Sequence, residues 1–216
     1  MMNVMESLNI VLTSQEGQLL DTLDSPPRIQ SFLDGIEYPS GEENRSCVDV
    51  LRQRKAHCLD GGLFATMALR RIGYRPRIID LQPDPGRDDD HVLALFQIDG
   101  FWGAIAKSNY SGLRFREAIY RTTRELALSY FEDFFNVLGE KTLRTCSRVI
   151  HLERFDHLNW MTESSGVDAI EVYLKQVKTY PLISNVQAAR LSLMDKRSFD
   201  AGTLGINLNG TFNPEE

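Results

Sequence analysis

The chain has 216 residues, of which 42% are hydrophobic and 25% are charged, so it carries enough apolar material for one domain with a sizeable core. Its 24 basic and 30 acidic residues leave a formal net charge of −6, which argues against a general nucleic-acid binder that neutralises phosphates. Its 3 cysteines are too few for a disulfide framework in a chain of this length, and they are predicted to be reduced thiols.

The first residues show no basic segment followed by a long apolar run, and no stretch approaches the ~20 apolar residues of a membrane span. We therefore expect a cytoplasmic protein without a membrane partner. The sequence says nothing about the oligomeric state.

The N-terminal third of the chain predicts several short helices. Residues 1–40 carry apolar positions interrupted by proline and glycine, which is typical of short helices lying over a core. A further short helix is predicted from Ser46 to Lys55. The strongest helical signal begins near Cys58, where apolar residues recur at four-residue steps until Gly73 offers a helix end.

A strand and a hairpin follow this helix. Arg77–Leu81 predicts a strand, and a loop rich in Pro, Gly and Asp then leads to two apolar runs, His91–Ile98 and Phe101–Ala106. Asp99 and Gly100 lie between these runs, and this pair favours a type I′ hairpin turn. Such a turn places Ile98 opposite Phe101 and, by extension of the same register, His91 opposite Ser108.

The C-terminal half alternates between helical and strand-like patterns. It predicts a helix over Arg116–Leu138 that ends at Gly139, a strand pair within Leu143–Leu152 and a helix over Asp168–Val177. The predicted organisation is a single α+β domain over residues 1–216. Within it we expect a core at about 45–155, a helical extension at 156–200 and a flexible tail at 201–216.

Cys58 stands at a position that favours a reactive thiol. Unpaired N–H groups at a helix start stabilise negative charge, and Arg52, Arg54 and Lys55 lie just upstream, so both effects are expected to lower the thiol pKa. Gly61 and the glycine after it suggest that this helix approaches a sheet closely. An isolated cysteine is more often a small buried hydrophobe, so the interpretation depends on a partner base.

His91 is the best candidate for that base, because it opens a strand directly after a loop. His57 is unsuited, since adjacent residues at a helix start do not face each other. The acidic run before His91 lacks a second histidine or cysteine at ligand spacing, so neither a metal nor any other cofactor is predicted.

Four segments, in this order and spacing, resemble the core of the transglutaminase-like superfamily: AHCLDGGLFA at 56–65, RRIGYRPR at 70–77, HVLALF at 91–96 and DGFW at 99–102. The resemblance covers about residues 56–109. It implies a papain-like α+β arrangement in which a cysteine-bearing helix packs on an antiparallel sheet, with further helices before and after this core. It also implies that a helix-borne cysteine, a strand-borne histidine and an aspartate on the next strand form a triad.

The third member of that triad is missing at the matching position, which is Ala106. Three replacements remain open. Ser108 can accept a hydrogen bond from the imidazole, a bulge can bring Asn109 round to complete a Cys-His-Asn set, and Asp80 on the preceding strand is a third candidate. A degenerate site with no orienting residue is a fourth interpretation.

The remaining candidate site residues concern the substrate. Trp102 belongs to the resembling segment, and Lys107 opens a basic stretch that reaches Arg124, so both are candidate substrate-binding residues. The alternative, structural interpretation of the basic stretch is that its arginines pair with nearby carboxylates.

These observations predict a cysteine-dependent acyl-transfer enzyme, a peptidase, amidase or transglutaminase, acting on a protein, a peptide or a small molecule that contains an amide. Cys58 is the predicted nucleophile and His91 the predicted proton carrier. A non-catalytic binding module that keeps the fold is the alternative, and it is favoured by Ala106. A thiol redox protein is a weaker alternative, because no second cysteine lies close to Cys58 in the sequence.

Overall fold

The computed structural model describes residues 4–41 and 43–215. The strands of this part of the chain are β1 Arg77–Pro83, β2 His91–Ile98, β3 Phe101–Ile105, β4 Arg116–Tyr120, β5 Leu143–Ser147, β6 Ile150–His151 and β7 Thr179–Pro181. They form one antiparallel sheet of 7 strands in the order β4-β3-β2-β1-β5-β7, and β6 also pairs with β1.

Helices precede, separate and follow these strands along the chain. The α-helices of the described residues are α1 Val4–Val11, α2 Ser14–Asp21, α3 Pro26–Asp34, α4 Cys47–Gln53, α5 Cys58–Arg71, α6 Thr123–Leu128, α7 Ser164–Leu174, α8 Asn185–Ala188 and α9 Lys196–Gly202. Short 3-10 helices cover Phe131–Asp133, Leu152–Leu158 and Leu208–Gly210. None of these helices is long and apolar enough to cross a membrane.

The central strands are buried on both faces, which explains their nearly continuous apolar sequences. Val92 and Phe96 belong to the core shared with α5, whereas Leu93 and Leu95 belong to a second core built on the opposite face. Because successive side chains of a strand point to opposite faces, His91 shares the second face with Leu93. The predicted α+β class and the antiparallel sheet are confirmed.

The local predictions around the hairpin are also confirmed. Asp99 and Gly100 both have positive φ angles, 51° and 84°, as a type I′ turn requires. Ile98 pairs with Phe101, and the register continues to the pair Ala94 and Ile105. β3 then ends, so the chain leaves the ladder before it reaches the position opposite His91.

The predicted helix over Arg116–Leu138 is wrong. The structure has strand β4, then α6, and then a 3-10 turn in this region. Every second residue of β4 is more exposed than its neighbours, and Trp102 and Ala104 of β3 pair with Tyr120 and Arg116. Pairing with the exposed edge of β3 overrides the local helical pattern here.

The C-terminal region packs against the body of the chain. The predicted helical extension at 156–200 contains α7, α8 and part of α9, and it also adds β7 to the sheet beside β5. Within the segment for which the sequence predicted a flexible tail, Asn207 and Gly210 hydrogen-bond to Asn109, and Asn207 also bonds to the Tyr38 carbonyl.

Candidate active site

Cys58 is the first residue of α5, and His57 precedes it as the N-cap. Two glycines let this end of the helix lie directly on its neighbours. A Cβ atom at Gly62 would stand 2.9 Å from the Val92 side chain, and one at Gly61 would stand 2.2 Å from Cβ of Lys107. The close approach predicted from the two glycines is therefore confirmed, and it brings the Cys58 sulfur to the backbone of β2.

The Cys58 sulfur lies at the start of β2. The thiol donates to the carbonyl of Asp90, directly before β2, at 3.6 Å, and the Val92 N–H is close enough to lower the pKa of the thiol. The β3 ladder begins only at Ala94, so β3 provides no partner for Val92. In this arrangement the thiol is hydrogen-bonded to the strand that carries His91, not to the imidazole itself.

The three basic residues upstream of Cys58 point elsewhere. Arg52 pairs with Glu16 at 2.8 Å, Arg54 lies 4.7 Å from the ring centre of Phe32, and Lys55 pairs with Glu37 at 3.1 Å. The charges that act on the thiol are acidic ones. The expectation that upstream cations lower the pKa of Cys58 is therefore wrong. Long, flexible side chains can reach away from a sequence neighbour, and these three contact other residues.

Burial is the first cause of a raised pKa at the Cys58 thiol, and the carboxylates of Asp90, Asp89 and Asp80 act in the same direction. The Val92 N–H opposes them. Surrounding protein also raises the pKa of Asp90, to about 6, and the neighbouring Asp89 adds to this shift. Cys58 thus rests as a neutral thiol at pH 7.

His91 opens β2 on the opposite face of the strand and is only 4% exposed. Its ring meets the rings of Tyr130 and Phe134 edge to face, with both ring centres 6.4 Å away. The pKa of His91 is lowered to about 4, first by burial and also by the nearby Arg116 cation, while a hydrogen bond to Leu113 acts in the opposite direction. The imidazole is therefore neutral at pH 7.

That hydrogen bond fixes the tautomer of the ring. Nε2 of His91 lies 2.7 Å from the Leu113 carbonyl oxygen, and because a carbonyl only accepts, Nε2 carries the proton. Nδ1 is left with a lone pair that can accept a proton. A backbone carbonyl thus holds the imidazole from the side on which a triad carboxylate would act.

The side chains predicted for this third position have other contacts. Ser108 Oγ accepts from the N–H of Tyr110 at 3.0 Å, and the Asn109 amide bonds to Asn207 and Gly210. Within residues 4–41 and 43–215, the His91 ring hydrogen-bonds to Leu113 alone. The sequence analysis missed Leu113, and no side-chain signal could have found it, since any residue supplies a carbonyl.

Asp80 and Ala106 are also accounted for. Asp80 pairs with Val92 in the register of β1 and β2, so it faces α5 and not the imidazole. Burial raises the pKa of its carboxyl, which accepts one hydrogen bond, from Gln82. Ala106 is fully buried, and its N–H and carbonyl both bond to the side chain of Gln30.

The two predicted substrate-binding residues lie outside the cavity that Cys58 and His91 share. Lys107 is 5% exposed, and its ammonium donates to the carbonyls of Leu33 (2.8 Å) and Ile36 (2.6 Å) at the end of α3. Burial lowers the pKa of Lys107 to about 8. Trp102 pairs with Gln97, about 20 Å along β2 from His91, and stacks near Arg77.

Two arginines of the basic stretch that follows Lys107 pair with carboxylates. Arg114 pairs with Asp34 at 3.3 Å, and Arg116 pairs with Asp133 at 3.1 Å while lying over the Tyr130 ring. Arg124 instead donates to the Leu182 carbonyl at 2.6 Å, and these contacts favour a structural role for the three arginines. Arg116 thereby packs on one ring of the aromatic wall behind His91, which consists of Tyr130 and Phe134.

Cys58 and His91 line one cavity of about 40 Å³. Its wall also includes Tyr38, Ser108, Asn109 and Phe212. The Cys58 N–H, which is the group expected to hold an oxyanion, lies close enough to the Tyr38 hydroxyl to act on its pKa. No group of three or more His, Cys, Asp or Glu side chains in the described residues could hold a metal ion.

Comparison with known proteins gives no match, either to a protein-family model or to a curated protein. The geometry of Cys58, His91 and their partners is therefore the basis on which a function can be assigned.

Proposed function

We propose that this protein is a cysteine-dependent acyl-transfer enzyme with a papain-like, transglutaminase-like arrangement of its core. Cys58 is the nucleophile and His91 carries the proton. The observation that carries the proposal is that both side chains line one cavity, with Nε2 of His91 tied to Leu113 and Nδ1 left as an acceptor.

The first half of the reaction forms an acyl-enzyme. The Cys58 proton moves to Nδ1 of His91 while the sulfur attacks the carbonyl carbon of an amide or ester. The tetrahedral intermediate then collapses, the bond from carbon to nitrogen or oxygen breaks, and His91 returns the proton to the leaving group. Hydrogen bonds between the base and the nucleophile commonly tighten only when substrate binds.

The second half releases the acyl group. A water molecule or an amine gives a proton to Nδ1 and attacks the thioester carbonyl, and the sulfur leaves and regains its proton. We place the oxyanion at the Cys58 N–H and assign the hydroxyl of Tyr38, which lines the same cavity, as the second donor. We expect the substrate to be a protein, a peptide or a small amide.

Acylation by p-nitrophenyl acetate tests this proposal. We expect a burst of nitrophenol and an acetyl adduct on Cys58, both lost in Cys58→Ala. His91→Gln should slow acylation by roughly 10²- to 10⁴-fold. Cys47→Ala is the matched control, because Cys47 is buried at the start of α4 and should acylate little. Equal adducts on all cysteines, or no effect of His91→Gln, would contradict the assignment.

A binding module that lacks catalysis is the second candidate. It is favoured by the raised pKa of Cys58 and by the alanine at position 106 where a triad acid would stand. Under this alternative Cys58→Ala leaves every function intact. The acylation experiment separates the two candidates, because only an enzyme accumulates an acyl group on Cys58 that His91 accelerates.

A further inference from the structure

Residues 207–212, called the tail segment below, form part of the wall around Cys58. Gly210, Thr211 and Phe212 line the same cavity as Cys58 and His91. At about 40 Å³ the cavity has room for one or two water molecules and none for an acyl substrate of ordinary size. A larger substrate therefore has to displace part of this wall, and the tail segment is the part of it that lies furthest along the chain from the central sheet.

The Asn109 amide holds the tail segment by its main chain. Its Oδ1 accepts from the N–H of Asn207 at 2.8 Å, and its Nδ2 donates to the carbonyls of Asn207 (2.8 Å) and Gly210 (3.2 Å). One side chain thus pairs with both the donor and the acceptor of a single residue. Any residue with a backbone N–H can make this pair of contacts.

A second contact fastens the tail segment on the other side of the cavity. Nδ2 of Asn207 donates to the Tyr38 carbonyl at 2.9 Å. The backbone of Gly210 passes so close to the same loop that a Cβ atom would stand 2.8 Å from the Pro39 carbonyl and 3.2 Å from the Tyr38 ring. Only a residue without a side chain fits there.

The side chains of the tail segment contribute less than its backbone. Leu208 is 72% exposed, so its apolar side chain has no burial to gain from this position. Phe212 reaches the cavity wall beside Phe134 and Phe135. The segment is therefore held largely through backbone groups: Asn207 is extended, and the chain then turns in the 3-10 helix Leu208–Gly210.

We propose that Asn109 and the Tyr38–Pro39 loop form a binding site for the main chain of a peptide that turns after one extended residue, and that the tail segment occupies this site in cis and covers one side of the Cys58 cavity. The inference deepens the proposed function, on which its biological meaning rests: a polypeptide substrate would take the same site once the tail segment leaves.

Alkylation of Cys58 by iodoacetamide measures how far the tail segment shields the partly exposed thiol. Gly210→Ala should raise the alkylation rate about tenfold, because the added methyl group pushes the segment off the Tyr38 loop and its hydrogen bonds to Asn109 are lost. Asn109→Ala, which deletes the bonds directly, should have the same effect. Gly17→Ala is the matched control, since a Cβ at this helical glycine meets nothing within 4 Å.

A synthetic peptide of residues 205–216 tests whether the site recognises the backbone groups of a peptide. Added to the Gly210→Ala protein, it should restore slow alkylation. The same peptide N-methylated at Asn207 should fail, since it lacks the N–H that Asn109 accepts, whereas N-methylation at Leu208 should leave protection intact. Unchanged alkylation in both protein variants, or equal protection by both methylated peptides, would overturn the proposal.

Alkylation and peptide protection need no turnover, so this experiment fails independently of the acylation experiment. Loss of acylation with intact protection would leave a peptide-binding site without chemistry. Normal acylation, with no protection of Cys58 by the peptide, would indicate an enzyme whose tail segment does not occupy a peptide-binding site.

Discussion

The two halves of the candidate site differ in what surrounds them. The thiol half is made of backbone groups and acidic side chains, with Asp90 nearest in effect on Cys58. The imidazole half is made of aromatic rings and one carbonyl, with Tyr130 and Phe134 in edge contact with His91. One half raises the pKa of its group and the other lowers it.

The difference shows that the resting pair is neutral. A thiolate and an imidazolium would each be penalised where they stand, so the proton moves only when a substrate changes the surroundings. This differs from a site that stores a preformed ion pair between the two groups. Changes that disturb one half at a time show whether the two environments act as described.

Removing the aromatic wall behind His91 should have the largest effect. Phe134 is 2% exposed, and Phe134→Ala leaves a cavity that costs about 3–5 kcal/mol of unfolding free energy. Water that enters the cavity should raise the pKa of His91 towards its ordinary value. Urea unfolding and NMR titration of the imidazole measure the two effects.

Phe101→Ala is the control for this variant, because Phe101 is 39% exposed at the hairpin end. It should change stability little and leave the His91 titration where it was. A Phe134→Ala protein with an unshifted imidazole would show that the aromatic wall does not keep His91 neutral.

The low pKa of His91 also makes stability depend on pH. Since the folded pKa of about 4 lies below the ordinary 6.5, the unfolded chain binds a proton first as the pH falls. Stability from this group is complete above pH 6.5 and is lost as the pH falls towards 4, by on the order of 3 kcal/mol. Urea unfolding of the wild-type chain against His91→Gln isolates this contribution.

The comparison with His91→Gln is needed because Asp88 and Asp90 act in the opposite direction. Their pKa values are raised to about 6, so between pH 4 and 6 the folded chain binds protons that the unfolded chain does not. Parallel pH curves for the wild type and His91→Gln would contradict the low pKa of the imidazole.

A change at the contact between α5 and β2, which positions Cys58, should destabilise the protein less than Phe134→Ala does. Gly62→Ala places a methyl group 2.9 Å from the Val92 side chain, and overpacking of this kind costs about 1–3 kcal/mol. It should also move Cys58 away from the Asp90 carbonyl and change its alkylation rate. Gly17→Ala adds the same methyl group to a helix with open space and should not destabilise the chain.

Local signals in the sequence were enough for the centre of the fold. The turn pair Asp99 and Gly100 set the hairpin register, and the four-residue apolar steps after Cys58 marked α5. Arg116–Tyr120 was mistaken for helix, because only the free edge of β3 makes this segment a strand. The edge exists only in the folded protein, so the five residues of β4 contain no local sequence signal for it.

The site was less predictable than the fold for a different reason. Cys58 and His91 are recognisable because their chemistry depends on side-chain type. Leu113 acts through its carbonyl, and Asn207 and Gly210 meet Asn109 through backbone groups, so these contacts have no side-chain signal in the sequence. The directions of Arg52 and Lys55 depended on distant carboxylates that spacing alone does not reveal.

The smallest expected effect concerns the acidic charge beside Cys58. Asp90→Asn keeps the backbone carbonyl that accepts from the thiol and removes the negative charge, so the pKa of Cys58 should fall and iodoacetamide should react a few-fold faster at pH 8. The gain is small because burial is the first cause of the raised pKa. Asp99→Asn, at the hairpin turn, is the matched control.

The pH dependence of this gain identifies its cause. With a pKa of about 6, Asp90 loses its charge as the pH falls, and the wild-type thiol then has the same electrostatic surroundings as in the variant. The ratio of the two alkylation rates should therefore approach one below pH 6 and reach its full value above it. A ratio that stays constant across this range would mean that Asp90→Asn acts through packing and that its charge does not reach the sulfur.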